Sequence, residues 1–483
     1  MHKEEKANSI TGGLFWKFAE RICAQGVSFI VSMVLARILM PDDYGVVAIL
    51  LIFINIANVF VSQGFSSALI QKKNAERIDF STMCFCSIAC SILLYLILFW
   101  AAIPLAAFYD NDLLIPTLRV LSVKLLITSV NSIQHAYVSR HMIFKKFFFS
   151  TIIGTIISAV VGIWMALRGF GAWALVAQYL TNSTIDTIVL FITVPWYPHW
   201  EFSFERAKGL MSYGWKVTLA DVFSTAYTQI RSLIIGRIYT TADLAFYNKG
   251  EQFPSLAVNN INSSIASVLF PAMSNTQGNK SALKQLTKKS MRVSAFVIFP
   301  MMGGLAVVGE DLVKLMLTEK WVPCVPFLQL ACISFALYPI STSNIQAIKA
   351  IGRSDLFLKM EILKKTVGIL LVVITMRFGT MAIAVSAVVA SVFNNLVNIF
   401  PNKSLLSYGF REQIMDLVPA LTLTAIMCAV VLPFNFFEIS PLIRIVVQVL
   451  IGVFVYFISS IISKIPELNY VLTKVTQIRK RHA

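Results

Sequence analysis

Apolar residues along this chain come in long blocks, not in strand-like alternation and not as one-sided stripes. Windows of about 20 residues, the length that crosses a bilayer as a helix, mark some fourteen spans. They run over 14–39, 44–66, 80–107, 117–138, 147–168, 172–195, 212–236, 251–273, 291–309, 324–348, 360–378, 380–401, 415–434 and 441–463. The expected fold class is therefore an all-α polytopic membrane protein. The first block carries Lys17, Glu20 and Arg21 inside it. A helix of that length rises about 35–40 Å. Ionised groups near the middle of a membrane helix cost roughly 2.5–3.5 kcal/mol each on insertion scales, so they face protein or water rather than lipid.

The pattern also repeats. Trp16-Lys17 returns as Trp215-Lys216, Arg37-Ile38 as Arg237-Ile238, and Asp43 as Asp243. An offset of about 200 residues corresponds to six spans, an even number, so both copies enter the membrane in the same sense, as in transporters built from parallel repeats. The expected organisation is two pseudo-symmetric six-helix lobes, 1–205 and 206–405. A last helix pair with a basic tail, 406–483, completes it. In Pro41-Asp-Asp-Tyr-Gly45 an aspartate is expected to cap the second helix, and Gly45 to allow close packing.

Composition sharpens this picture. Of 483 residues, 57% are hydrophobic and 13% charged, which no soluble globule combines over this length. The net charge of +17 is spread through small clusters and not gathered into a basic face, which excludes nucleic acid as a partner. About three times as many of the 41 basic residues fall in one set of alternate loops as in the other, placing both termini in the cytoplasm. Neither of the most hydrophilic stretches, 196–208 and 274–292, exceeds an ordinary loop, so a soluble catalytic domain is excluded. The seven cysteines have no histidine or acid at metal-ligand spacing and read as small buried hydrophobes; no metal or cofactor is expected.

Three stretches carry a resemblance. Arg37-Ile-Leu-Met-Pro-Asp-Asp-Tyr-Gly-Val-Val-Ala48, Gly64-Phe-Ser-Ser-Ala-Leu-Ile-Gln-Lys-Lys73 and Leu244-Ala-Phe-Tyr-Asn-Lys-Gly-Glu-Gln-Phe-Pro254 resemble segments of the Wzx-type polysaccharide biosynthesis flippases. These belong to the multidrug/oligosaccharidyl-lipid/polysaccharide exporter superfamily. The likeness is strongest to the branch with colanic-acid and teichuronic-acid exporters. It implies two six-helix lobes plus two helices, a bacterial inner-membrane location, and no covalent chemistry. The implied substrate is an undecaprenyl-pyrophosphate-linked oligosaccharide, moved from the inner to the outer leaflet. Membrane lipids and polysaccharide polymerase or assembly proteins are the implied partners. Two other functions fit a chain of this kind: a multidrug or cation antiporter of the same superfamily, and a membrane-embedded polymerase or ligase.

A pyrophosphate–sugar head group needs cations for its phosphates and hydrogen-bonding side chains for its hydroxyls. Arg21 stands first among the cations, because a guanidinium forks onto phosphate oxygens. Lys124 and Arg231 lie inside spans, whereas Lys17 and Lys216 sit about a turn from a helix end, where snorkelling competes. Glu20, Asp221 and Asp186 read as the buried acids, either balancing these cations or binding a coupling ion. Intramembrane asparagines, among them Asn131, Asn344 and Asn398, are expected to contact sugars, and His135 to sit at the membrane interface.

Overall fold

In the computed structural model, residues 2–72, 74–276, 278–468 and 473 are described; for residues 2–15, 17–19, 21, 213, 264 and 268 the description covers the backbone alone. The described residues form helices joined by short connections, and the chain divides into two compact units, Met1–Ala245 and Phe246–Ala483. The first contains α1 (His2–Ile38), α2 (Pro41–Gln71), α3 (Arg77–Tyr109), α4 (Leu114–Leu121), α5 (Val123–His141), α6 (Lys145–Leu167), α7 (Ala172–Thr193) and α8 (Phe204–Ile238). Helix α9 (Thr241–Ser274) starts at the end of this unit and continues into the second. There follow α10 (Lys280–Leu317), α11 (Val325–Ala336), α12 (Tyr338–Ala350), α13 (Ser354–Thr375), α14 (Thr380–Leu406), α15 (Phe410–Val431) and α16 (Pro441–Ile462).

Among the described residues, ten helical stretches are long and apolar enough to cross a membrane. The expected spans carried by α1, α8, α9 and α13 are helical in the structure but are not among those ten. These helices hold many of the charged and amide side chains, which lower their apolarity. Two expected spans are broken. The one at 117–138 divides into α4 and α5 at Ser122, whose hydroxyl donates to the Leu118 carbonyl (2.6 Å) and so competes with the helical ladder. The one at 324–348 divides after Leu337, where Pro339 cannot continue the helix of residues 325–336.

The unit boundary also differs from the expected one. Counting helices puts it at 205/206, but α8 lies antiparallel along α2, and the compact units part at Ala245. Glycines set this approach. A Cβ on Gly45 would fall 1.9 Å from the Thr241 carbonyl oxygen, and one on Gly64 would fall 2.0 Å from Thr218 Oγ1 and 3.1 Å from the Gly214 oxygen. Gly236 faces Ile49 between them. No side chain fits at the two ends of this seam, so the backbones themselves touch. Both repeated aspartates cap helices: Asp43 accepts from the Met40 N–H (3.0 Å), and Asp243 from the Thr240 N–H (3.2 Å).

The core of the first unit gathers Phe65, Leu69, Phe80, Met83, Ile133, Phe147 and Trp196. In the second unit α10 is central, against α11, α12, α15 and α16. Its lysines run along α15, Lys284 to Glu412 (2.8 Å) and Lys288 to Asp416 (2.9 Å), while Tyr456 of α16 donates to the Phe296 carbonyl (2.8 Å). The 406–483 segment thereby belongs to the second unit. Cys84, Cys324 and Cys332 are buried as expected and Cys86, Cys90 and Cys428 half-buried, but Cys23 is exposed.

Candidate functional site

Lys124 occupies the first turn of α5, directly after the break at Ser122. At 1.5 Å per residue it stands about 15 Å along the axis from Leu114, inside the stretch Leu114–His141 that is long and apolar enough to cross a membrane. Its ammonium lies 5.3 Å from the centroid of the Tyr179 ring on α7, and it makes no ion pair with an acid among the described residues. Tyr44, whose hydroxyl donates to the Ser32 carbonyl (3.1 Å), approaches Tyr179 from α2. A half-buried cation held by a ring face, without a counter-charge, keeps its donors for an anion.

Arg231 on α8 is the second such cation. It is half-buried, pairs with no acid among the described residues, and its Nε is buried without a hydrogen-bond partner. Asp221, ten residues earlier on the same helix, is half-buried and about 15 Å away along the axis, too far to neutralise it. Lys216 is exposed. Lys17 and Arg21 are placed on α1 by the backbone, but their side chains lie outside the described residues. Glu20 is half-buried on the same helix.

Asp186 sits on α7, about 10 Å from its Thr193 end. Its Oδ2 accepts from Asn131 Nδ2 (2.8 Å) and lies 3.4 Å from His135 Nε2. Its Oδ1 is buried with no hydrogen-bond partner within 3.5 Å among the described residues, although the Ser150 hydroxyl of α6 faces the carboxylate. His135 stacks on Phe147 with ring centroids 4.4 Å apart, and 41% of its side chain remains exposed. The expected interface histidine is thus one half of a titratable pair, open to its surroundings while the acid is covered. Gly154 lets α6 close on it, since a Cβ there would meet the backbone of Asn182 and Asp186 at 3.2 and 3.4 Å.

The asparagines divide differently from expectation. Asn131 is bonded to Asp186 and Thr187. In the second unit Asn344 is fully buried: its Nδ2 donates to Gln413 Oε1 (2.8 Å), and its Oδ1 accepts from Asn402 Nδ2 (2.6 Å) and Gln413 Nε2 (3.0 Å). Asn398 is equally buried and donates to Ser341 Oγ, while accepting from Lys364. These amides are committed to one another. Their expected contact with sugars is not available in this arrangement.

Two buried lysines escape a reading by charge clusters. Lys364, inside the expected span 360–378, is covered on α13 and bonded to Glu361 and Asn398. Lys249 donates to Gln252 Oε1 (3.1 Å) and stands 5.7 Å from the ring of the fully buried Trp321. The Lys-x-x-Gln spacing at 249–252 is the signal that marks a helical partner for it.

A family model described as polysaccharide biosynthesis protein matches residues 34–326. The chain is 24% identical to the succinoglycan biosynthesis transport protein ExoT of Rhizobium meliloti (strain 1021), over 72% of this chain and 70% of that protein. It is 23% identical to the lipopolysaccharide biosynthesis protein WzxC of Escherichia coli (strain K12), over 84% of this chain and 83% of that protein. Among solved structures, the lipid II flippase MurJ in an inward closed conformation matches with a TM-score of 0.74 at 15% identity, over 93% of this chain and 99% of that one. An inward-facing multidrug resistance transporter of the MATE family matches with a TM-score of 0.60 at 14% identity, over 80% and 98%. At such identities the likeness establishes the fold alone: that of an all-helical, multi-span membrane protein.

Proposed function

We propose, on the premise that this chain belongs to the polysaccharide biosynthesis protein family, that it is a flippase for an undecaprenyl-pyrophosphate-linked oligosaccharide. It carries the head group from the cytoplasmic to the outer leaflet by alternating access, in a bacterial inner membrane with both termini cytoplasmic. In this reading α1, α8, α9 and α13 join the ten apolar stretches as spans, and the fourteen form two six-helix lobes and a terminal pair. The lipid tail stays in the bilayer, and no bond is made or broken. The polysaccharide polymerase and assembly machinery receive the product.

The observation that carries this reading is Lys124, a cation within an apolar helical stretch that has an aromatic neighbour and, among the described residues, no acid paired to it. Such a group is costly in an empty transporter and useful when an anion passes. Arg231 takes a second phosphate contact, and Arg21, Lys17 and Lys216 extend the path from the helix ends. Several dispersed cations hold pyrophosphate weakly enough for release. Among the acids, Asp186 with His135 is assigned the coupling role, because its Oδ1 is covered and has no hydrogen bond among the described residues while the histidine is reachable. Glu20 and Asp221 balance charge.

The test is leaflet exposure of a fluorescent undecaprenyl-pyrophosphate oligosaccharide in proteoliposomes. Intact protein is expected to expose the unaltered lipid, with Lys124→Ala lowering the rate at least tenfold and Arg231→Ala lowering it less. A cleaved or extended lipid would instead establish a polymerase or ligase. Movement of organic cations without the glycolipid would establish an antiporter.

A further inference from the structure

The connection between α7 and α8 is not the hydrophilic loop that its composition predicts. Residues 194–203 run without helix, and their side chains sort into two sets. One set is fastened down. Trp196 is buried, 5.9 Å from the Phe80 ring and 6.4 Å from Tyr137. The backbone N–H of His199 donates to Ser81 Oγ and that of Ser203 to Thr82 Oγ1, both at 3.2 Å and both to buried hydroxyls of α3. Arg77 Nε donates to His199 Nδ1 at 2.9 Å.

The other set is turned outward: Trp200 is 96% exposed, Phe204 76%, Phe202 54% and Tyr197 50%. Holding the backbone while presenting four aromatic rings is the arrangement of a surface that has a partner.

Two observations identify that partner. The rings continue the apolar faces of α3 and α7, with Trp200 5.6 Å from Phe85 and Tyr197 6.0 Å from Phe191. Those two helices are the least buried of the apolar spans, and they expose Leu93, Leu96, Ile97 and Trp100, and Ile188 and Ile192. On the other side an ionic set marks where water begins: Lys72 and Arg206 on Asp79 (2.7 and 3.2 Å), Arg206 on Glu76 (2.8 Å), and exposed Lys208. An aromatic row between an apolar belt and an ionic row sits at headgroup depth.

We propose that residues 194–204 are an interfacial strap. Its outward rings seat in the headgroup–acyl boundary of the bilayer on the basic-loop side, and its fastened backbone transmits that depth to α3 and to the start of α8. The occupant is lipid, with the ammonium of Lys208 available to an anionic headgroup.

The test uses full-length protein in nanodiscs of phosphatidylcholine and phosphatidylglycerol, brominated on the acyl chain either near the glycerol or near mid-chain. Trp200 emission is the difference between the intact protein and Trp200→Phe. That component is expected to be quenched at least twofold more by shallow than by deep bromine, and to resist aqueous iodide. Trp196→Phe, which removes a buried indole, is the control for indoles that neither quencher reaches. Iodide quenching of the Trp200 component without a response to brominated lipid would overturn the proposal and leave the strap a surface for a soluble protein.

Discussion

Lys124 and Lys249 are both lysines within helices of a membrane protein, and their surroundings separate them. Lys249 is covered, bonded to Gln252 and placed against Trp321, so it holds a helix to its neighbour. Lys124 has a ring and, among the described residues, no acid, so it is poised for something that arrives. At this scale the sequence shows which residues are unusual but not where they point. A charge inside an apolar window is visible at once, and Lys124, Arg231 and Asp186 were found that way. The pairing of Asp186 with His135 was not, because the two are 51 positions apart and meet only through α5–α7 packing. An asparagine in an apolar helix looks the same whether it faces a cavity or another amide, which is why Asn344 was misread. Gln413→Leu is expected to strip Asn344 of an acceptor and a donor. That costs about 1–3 kcal/mol for buried groups left unmade, and would be read as a lower unfolding midpoint in detergent.

At the scale of elements, hydropathy located the apolar helices because membrane spans announce themselves by length, but it missed three things. It could not see the breaks at Ser122 and after Leu337, since the residues on both sides are equally apolar, although Pro339 was a usable sign. It averaged Pro, His and Glu with Trp and Phe and so scored 196–208 as hydrophilic. It also gave Gly64 no weight, because a glycine's role depends on what lies opposite. The α2–α8 seam makes that role testable. Gly64→Ala is expected to force the helices apart and lower stability. Adding Thr218→Ala removes the nearest atom and should recover part of the loss, leaving the tight 3.1 Å approach to the Gly214 oxygen. Thermal unfolding of the two single variants and the double one measures the recovery directly.

For the whole molecule, the repeat and the distribution of basic residues predict orientation, while the compact units follow contacts and part within α9. A helix count cannot anticipate which neighbour a boundary helix chooses, and α8 chose α2. Orientation can be checked in cells with a membrane-impermeant maleimide, after replacing the native cysteines, since exposed Cys23 would otherwise react. Asp112→Cys, between α3 and α4, is expected to label in intact cells, and Ser354→Cys, at the start of α13, only after permeabilisation. The reverse pattern would invert the molecule.

Among the described residues no acid balances Lys124, and this has a thermodynamic corollary. The empty protein carries a standing electrostatic cost that any fitting anion relieves, so ligand occupancy and melting temperature are linked by mass action. A ligand at a hundred times its dissociation constant adds about 2.7 kcal/mol to the stability of the state that binds it. Pyrophosphate-bearing glycolipids should therefore raise the melting point of the intact protein and raise that of Lys124→Ala much less. A melting screen over such lipids would then rank glycan head groups by affinity, with no transport assay at all.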